Sequence, residues 1–179
     1  MLTVGDRFPA FHLKAVSGND PASAFRDVDQ TTWRDQWLVL VFYPKDFTFV
    51  CPTELAGFGK LVREFADRDA QVLGVSTDSE FVHLAWRQSH ADLKTLPYPL
   101  LSDLRRDLSA ELGILDADGV ARRATYVVDP RGIIRFAMMT DGKVGRSPDE
   151  VLRVLDALQT DELCPCNWKP GQPTLQVAR

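Results

Sequence analysis

Hydrophobic positions along the chain fall into short blocks whose spacing changes from one block to the next. Trp37 to Tyr43 (WLVLVFY) is an unbroken apolar run of strand length, stopped at once by Pro44, and predicts a buried strand. From Pro52 the apolar positions Leu55, Phe58, Leu61, Val62 and Phe65 recur at helical spacing with charges between them, and Asp67 to Asp69 close the pattern. This predicts one helix with Cys51 at its mouth. Gln71 to Ser76 reads as a second buried strand, Ser79 to His90 as a helix opened by Ser79, and Tyr98 to Leu101 as a short extended piece. Arg105 to Leu112 reads as a short helix ended by Gly113. Ala124 to Val128 and Ile133 to Met138 flank the turn signal Asp129-Pro130-Arg131-Gly132, so they predict a hairpin. Pro148 to Leu158 is the last helix, with Ser147 as N-cap and Pro148 in its first position.

Strand, helix, strand, helix, then an antiparallel hairpin and a closing helix describe an α/β protein with a mixed central sheet, an order that suits the thioredoxin-like fold. Residues 160–179 hold Pro165, Pro170, Gly171 and Pro173 without apolar periodicity, and predict an irregular arm after a domain spanning 1–159. At 179 residues the chain is expected to fold as one domain, and no repeat or low-complexity segment interrupts it. Its composition, 45% apolar and 26% charged, is that of a globular protein. A net charge of −4 argues against nucleic acid or an anionic membrane as a main partner, since both select a basic surface. The start MLTVGDRFPAF lacks the basic and apolar regions of a signal peptide, and the longest apolar run falls far short of the roughly 20 residues of a spanning helix. A cytoplasmic location is expected. There thiols are kept reduced, so three cysteines point to catalysis, metal binding or inert packing before a disulfide framework.

The position of Cys51 carries the chemistry. It stands between the first buried strand and the helix that Pro52 begins, where unpaired N–H groups and the positive end of the helix dipole favour a thiolate. Thr48, three residues upstream, brings a hydroxyl within reach of the sulfur or of a substrate oxygen, and Pro44 fixes the entry of the loop. The competing reading of a lone cysteine is a small buried hydrophobe, and these neighbours weigh against it. A thiol–disulfide oxidoreductase would need a second cysteine at the helix mouth, where Glu54 stands instead. His12, His83 and His90 are not paired with cysteines at ligand spacing, so a haem or zinc centre finds little support.

The segment PKDFTFVCPTE, Pro44 to Glu54, resembles the active-site segment of the typical two-cysteine peroxiredoxins of the alkyl hydroperoxide reductase C group. The pattern Pro-x-x-x-Thr-x-x-Cys is met by Pro44, Thr48 and Cys51, and the similarity continues through LGVSTDS, PLLSD, Arg123 with ATYVVD, VGRSPDE and the Cys-Pro arm with Trp168. The resemblance implies a peroxidase that reduces hydrogen peroxide and organic hydroperoxides with no metal or organic cofactor, with Cys51 as peroxidatic cysteine, Thr48 orienting the peroxide, Pro44 limiting solvent and Arg123 contacting thiolate and substrate. Glu54 and Arg146 match supporting polar positions, and Arg122 reads as a solvated surface charge. The same resemblance makes Cys164 the resolving cysteine, attacking Cys51 of another subunit. Cys166 departs from the common pattern and resembles three-cysteine members; it reads as a third redox thiol, as an incidental exposed thiol, or as half of a zinc site. The implied partners are a hydroperoxide, a disulfide reductant (an alkyl hydroperoxidase D-type adaptor, favoured by Cys166, a flavoprotein reductase or thioredoxin), and further copies forming a homodimer that assembles into a decamer or dodecamer. A holdase or scaffold role would not depend on Cys51. The chain has no Gly-Gly-Leu-Gly segment and no long Tyr-Phe tail, so it is expected to resist sulfinic inactivation.

Overall fold

The apolar run from Trp37 becomes an interior strand of a seven-stranded sheet in a computed structural model that describes residues 1–176. In chain order the elements are β1 (His12–Val16), β2 (Phe25–Asp29), β3 (Trp37–Phe42), α1 (Cys51–Lys60), α2 (Val62–Ala66), β4 (Ala70–Ser76), α3 (Glu80–Ser89), β5 (Leu100–Ser102), α4 (Asp107–Leu112), β6 (Arg123–Val128), β7 (Ile134–Thr140) and α5 (Pro148–Gln159). The strand order is β2-β1-β5-β4-β3-β6-β7. β3, β4 and β5 run parallel, while β1 and β6 join this centre antiparallel and carry β2 and β7 outside them.

Buried strands must feed both faces, and β3 does so with period two. Leu38, Leu40 and Phe42 pack with Phe8, Leu73, Leu101, Leu108 and Tyr126 on the α4 face. Val39, Val41 and Tyr43 pack on the other face with Leu55, Phe58, Phe65, Trp86, Val151 and Leu155 from the remaining helices. Both faces of the sheet are therefore covered, as expected of a mixed sheet with a parallel centre.

The structure departs from the sequence expectation at several places. The helix expected from Pro52 to Phe65 is broken at Leu61, whose φ and ψ are −101° and 10° and whose N–H bonds to Phe58 O, three residues back. Gly57 and Gly59 lower the helical preference just before the break, and they are packed against Pro148 and against Leu96 and Pro97. β5 starts at Leu100 rather than Tyr98, because neither Pro97 nor Pro99 has an N–H to give to a ladder. β1 and β2 were not expected at all. They form a charged edge hairpin in which Ala15, Val16 and Val28 are the buried residues, while Lys14 pairs with Asp27 in solvent. Residues 160–176 are irregular, but they close on themselves through a bridge between Leu163 and Leu175 and bury Trp168.

The helix expected from Arg105 begins at Asp107, since Arg106 stands at φ +65°, but the caps and the hairpin turn read from the sequence are present. Ser79 and Ser147 cap α3 and α5 by accepting from Val82 and Glu150 N–H groups. Gly113 ends α4 with φ +72°. The β6–β7 hairpin turns at Gly132, φ +80°, with the Asp129 carboxylate accepting from the N–H groups of Arg131 and Ile133. Among the described residues no helix is long and apolar enough to cross a membrane.

Candidate active site

β3 delivers the chain to the top of the sheet, where a loop of residues 43–50 leads into α1. Cys51 is the first residue of α1 and is buried, its surface 1% exposed. Pro52 occupies the first turn; the cap residue Val50 offers no side-chain acceptor, and its backbone O accepts from the N–H groups of Thr53 at 3.1 Å and Glu54 at 3.3 Å. Thr48 Oγ1 lies 3.0 Å from Cys51 Sγ and 2.9 Å from Lys45 O.

The third group comes from across the sheet. β6 runs antiparallel to β3 with Thr125 opposite Val41, so the first residue of β6, Arg123, arrives beside the C-terminal end of β3. Its Nη1 donates to Cys51 Sγ at 3.5 Å and to Glu54 Oε2, and its Nη2 donates to Gly142 O at 2.9 Å. Its Nε is buried and has no hydrogen-bond partner among the described residues. The neighbouring Arg122, just before β6, is exposed, as the sequence reading expected, whereas Arg123 opens a strand that is buried throughout.

Glu54, one turn into α1, ties the arginines together. Arg146 donates to it from its backbone N–H (2.8 Å), from Nε (2.7 Å) and from Nη2 (3.0 Å). Arg146 Nη1 also reaches Ala124 O at 2.6 Å and Thr125 Oγ1 at 3.0 Å. The side chains of Arg123, Glu54 and Arg146 are 4%, 2% and 0% exposed. Burial alone would push the Glu54 carboxyl up, but the hydrogen bonds and charge of Arg146, with the charge of Arg123, outweigh it and hold the group below its ordinary range. For Arg123 burial opposes the charged form, and the Cys51 sulfur and the Glu54 carboxylate overcome that opposition and raise it.

The loop bearing Thr48 is held by residues to which the sequence reading gave no role. Asp46 accepts from Tyr43 Oη at 2.8 Å, contacts His83 Nδ1 at 2.8 Å, and its N–H donates to Asp78 Oδ2 at 2.9 Å. His83 Nε2 meets Leu101 O at 3.2 Å, so both ring nitrogens face acceptors in a fully buried position. Burial, reinforced by Asp46, pushes the Tyr43 hydroxyl far up and keeps it a donor. This anchoring sustains Phe47 at φ +56°, a strained conformation for a residue with a Cβ, with its ring against Trp86 at 6.0 Å. No spacing rule joins residues 46 and 83; a buried histidine on the inner face of α3 was the one available signal.

Cys164 and Cys166 lie elsewhere. α5 begins beside α1, where Gly57 packs on Pro148 and Gly145 on Val50 and Glu54. It ends beside Arg68, which pairs with Asp156 and accepts from Gln159 Nε2 at 2.7 Å, next to the point where Asp69 O accepts from Trp37 at the start of β3. A twelve-residue helix spans about 18 Å. Cys164, just beyond it, therefore lies at the opposite end of the sheet from Cys51, whereas a disulfide needs Cα atoms about 4.4–6.8 Å apart. Cys164 is half-buried against Thr160 Oγ1 and Ala157 O, Cys166 is exposed, and all three cysteines are free.

Comparison with known proteins agrees with this geometry. The AhpC/TSA family profile matches residues 4–137, and that of the C-terminal domain of 1-Cys peroxiredoxin matches 158–178. Alkyl hydroperoxide reductase C of Mycolicibacterium smegmatis is 57% identical over 185 residues, covering 99% of this chain and 95% of its own. Among solved structures, Mycobacterium tuberculosis AhpC superposes with a TM-score of 0.88 at 55% identity, covering 94% of this chain and 99% of that one. The reduced 2-Cys peroxiredoxin of Plasmodium vivax gives 0.91 at 34% identity, covering 97% and 93%. A mixed sheet with a cysteine at the mouth of its first helix, a matching profile and near full-length relatives lead to one conclusion: the chain belongs to the AhpC/TSA family and is a peroxiredoxin, a thiol-dependent peroxidase.

Proposed function

We propose that Cys51 carries the peroxidase chemistry of this chain and that Cys164 of a second copy resolves the product. The observation that carries the first half is the donor set around the sulfur, with one buried donor of Arg123, Nε, left over for a substrate. The Cys51 thiolate attacks one oxygen of a hydroperoxide, the S–O bond forms as the O–O bond breaks, and the departing oxygen takes a proton and leaves as water or an alcohol. Sulfur is oxidised to a sulfenic acid. Negative charge builds on the departing oxygen, and a fixed guanidinium in a water-poor site stabilises it strongly.

Thr48 has one hydroxyl hydrogen and two acceptors in reach, Sγ and Lys45 O. It can accept from a thiol while donating to Lys45 O, and turn to donate to the sulfur or to a bound peroxide once the thiol has ionised. Pro44, half-buried at the loop entry, restricts water. Glu54 and Arg146 hold Arg123 in position and do not touch the reacting atoms.

The thiol of Cys164 then attacks the sulfenic sulfur, a disulfide forms and water leaves. The distance between the two ends of the sheet supports resolution by another copy. This reading divides the chain into a peroxidase domain, 1–159, and an arm, 160–179, that brings Cys164 to the homodimer and, through it, to a decamer or dodecamer. A dithiol reductant returns the disulfide to thiols; Cys166, exposed beside Cys164, favours an adaptor of the alkyl hydroperoxidase D type over a flavoprotein reductase or thioredoxin. The working compartment is the cytoplasm. The test is the rate at which one equivalent of hydrogen peroxide consumes thiol in wild type, Cys51→Ser and Cys164→Ser, with non-reducing mass analysis. Rapid, Cys51-dependent conversion to a Cys51–Cys164 linked dimer is expected, and slow oxidation indifferent to Cys51 would refute the reading.

A further inference from the structure

The arm after α5 is fastened more to itself than to the rest of the molecule. Leu175 N–H donates to Leu163 O at 2.8 Å, closing a loop. Inside it Trp168 Nε1 donates to Gln172 O at 2.9 Å, and Lys169 N–H donates to Gln172 Oε1 at 2.8 Å. Such a compact loop, closed at its neck and filled by its own side chains, moves as a unit.

What holds this unit to α5 is narrow. Among the described residues, Arg153 Nη1 donating to Trp168 O at 3.0 Å is the one hydrogen bond joining 165–176 to the chain before Thr160. Glu150 grips the same guanidinium in bidentate fashion, at 2.7 Å to Nε and 2.8 Å to Nη2, so the donor is preset toward the arm. Trp168 is buried at that point, next to a cavity of about 340 Å³ between α5 and the turn at Lys169 and Pro170. Nearer the neck, half-buried Cys164 has its Sγ against Thr160 Oγ1 and Ala157 O, on the side of the helix. In this closed position Cys164 is not presented to any sulfenic acid.

We infer that Arg153 is a latch: a positioning residue that holds the arm against α5 and so sets the rate at which Cys164 becomes available to resolve oxidised Cys51. The inference rests on the resolving role proposed above for Cys164. Opening the latch leaves the first oxidation untouched, because the hydrogen bonds of Arg153 go to Glu150 and Trp168 O and none goes to Thr48, Cys51, Glu54 or Arg123. It speeds the second step, in which the Cys164 thiol displaces water from the sulfenic acid. It also lowers the share of sulfenic acid that a second peroxide converts to sulfinic acid, since that side reaction competes with resolution.

The test compares wild type, Arg153→Met, which keeps the apolar stem, and Arg153→Lys, which keeps one donor and the charge. Rapid quenching with mass analysis follows two rates, loss of the Cys51 thiol and appearance of the Cys51–Cys164 link, and then sulfinate yield under excess peroxide. For Arg153→Met the first rate stays within about twofold, while the second rises about tenfold, the change expected for a barrier lowered by one modest hydrogen bond. Sulfinate falls with it, and Arg153→Lys lies close to wild type. Hydrogen exchange rises in 161–176 alone. Glu150→Gln, which frees the guanidinium without removing it, moves the second rate in the same direction and serves if Arg153→Met unfolds. An unchanged or slower second rate in Arg153→Met, or in Glu150→Gln where that variant serves, would overturn the latch while leaving the role of Cys164 intact. Failure of wild type to form the Cys51–Cys164 link would remove both.

Discussion

Exchange of Glu54 for glutamine tests the electrostatic frame of the site with almost no change of shape. The carboxylate accepts from Arg123 Nη1 and from the backbone N–H, Nε and Nη2 of Arg146, all buried. A glutamine has one carbonyl oxygen for these donors and turns an amide N–H toward a guanidinium. Breaking one partner out of a buried ion pair destabilises by about 3–5 kcal/mol. Because glutamine keeps the volume and up to two acceptor bonds worth about 1 kcal/mol each, the loss for Glu54→Gln is expected near the lower end, ~3 kcal/mol at neutral pH. The sign with pH follows from the lowered carboxyl. A group depressed below its ordinary value of 4.5 contributes fully above that value and loses its contribution as pH falls through the lower, folded value. The gap between wild type and Glu54→Gln is therefore full at neutral pH, starts to shrink below pH 4.5 and narrows with further acidification. Urea unfolding at fixed protein concentration, repeated down the pH range, measures it. The rate of Cys51 oxidation falls too, by about 10- to 100-fold, since each 1.36 kcal/mol lost in placing the Arg123 donor is tenfold. A gap under about 1 kcal/mol at neutral pH, or one that widens on acidification, would refute the account of a buried, ionised Glu54.

Thr48→Val removes the hydroxyl 3.0 Å from the sulfur at constant volume and should slow Cys51 oxidation by about 10- to 100-fold, whereas Thr48→Ser stays close to wild type; stopped-flow peroxide consumption reads the difference, and an unchanged rate in Thr48→Val would refute a role for the hydroxyl. Gly113→Ala puts a Cβ into a residue at φ +72° and 2.7 Å from the backbone Cα of Met1, so a loss of about 1–2 kcal/mol in urea stability is expected with little change in the rate of Cys51 oxidation, and an unaltered midpoint would contradict the close approach.

The sequence was informative where one residue decides one feature. Proline after the WLVLVFY run, serine before Glu80 and Pro148, and glycine after Leu112 each mark an element end to within a residue. It was silent where an element is defined by what lies across from it. β1 and β2 bury few apolar side chains and owe their place to the pairing of Lys14, Ala15 and Val16 with Ser102, Leu101 and Leu100. The site divides in the same way. Thr48 and Cys51 are legible because three residues of chain connect them, but Arg123 is brought to the sulfur by the β3–β6 register, and Asp46 to His83 by the packing of α3. Without resemblance to a family, those contacts had no local signal.

The separation of the sulfurs explains why the second half of the chemistry was less legible still. β3 is six residues long, about 20 Å, and α5 runs alongside the sheet from the end that holds Cys51 to the end that holds Cys164. Bringing the two together within one chain would require α5 to leave the face on which Val151 and Leu155 are fully buried, at a loss of about 1.5–3 kcal/mol for each such side chain. Bringing Cys164 to another copy requires only that the arm leave α5, which costs the burial of Trp168 and one guanidinium hydrogen bond. The second path disturbs none of the core and keeps Arg123 and Glu54 in place around the sulfur while it is oxidised. A short arm beyond the last helix, closed on itself and lightly fastened, is the part of this fold that can move without dismantling the site it serves.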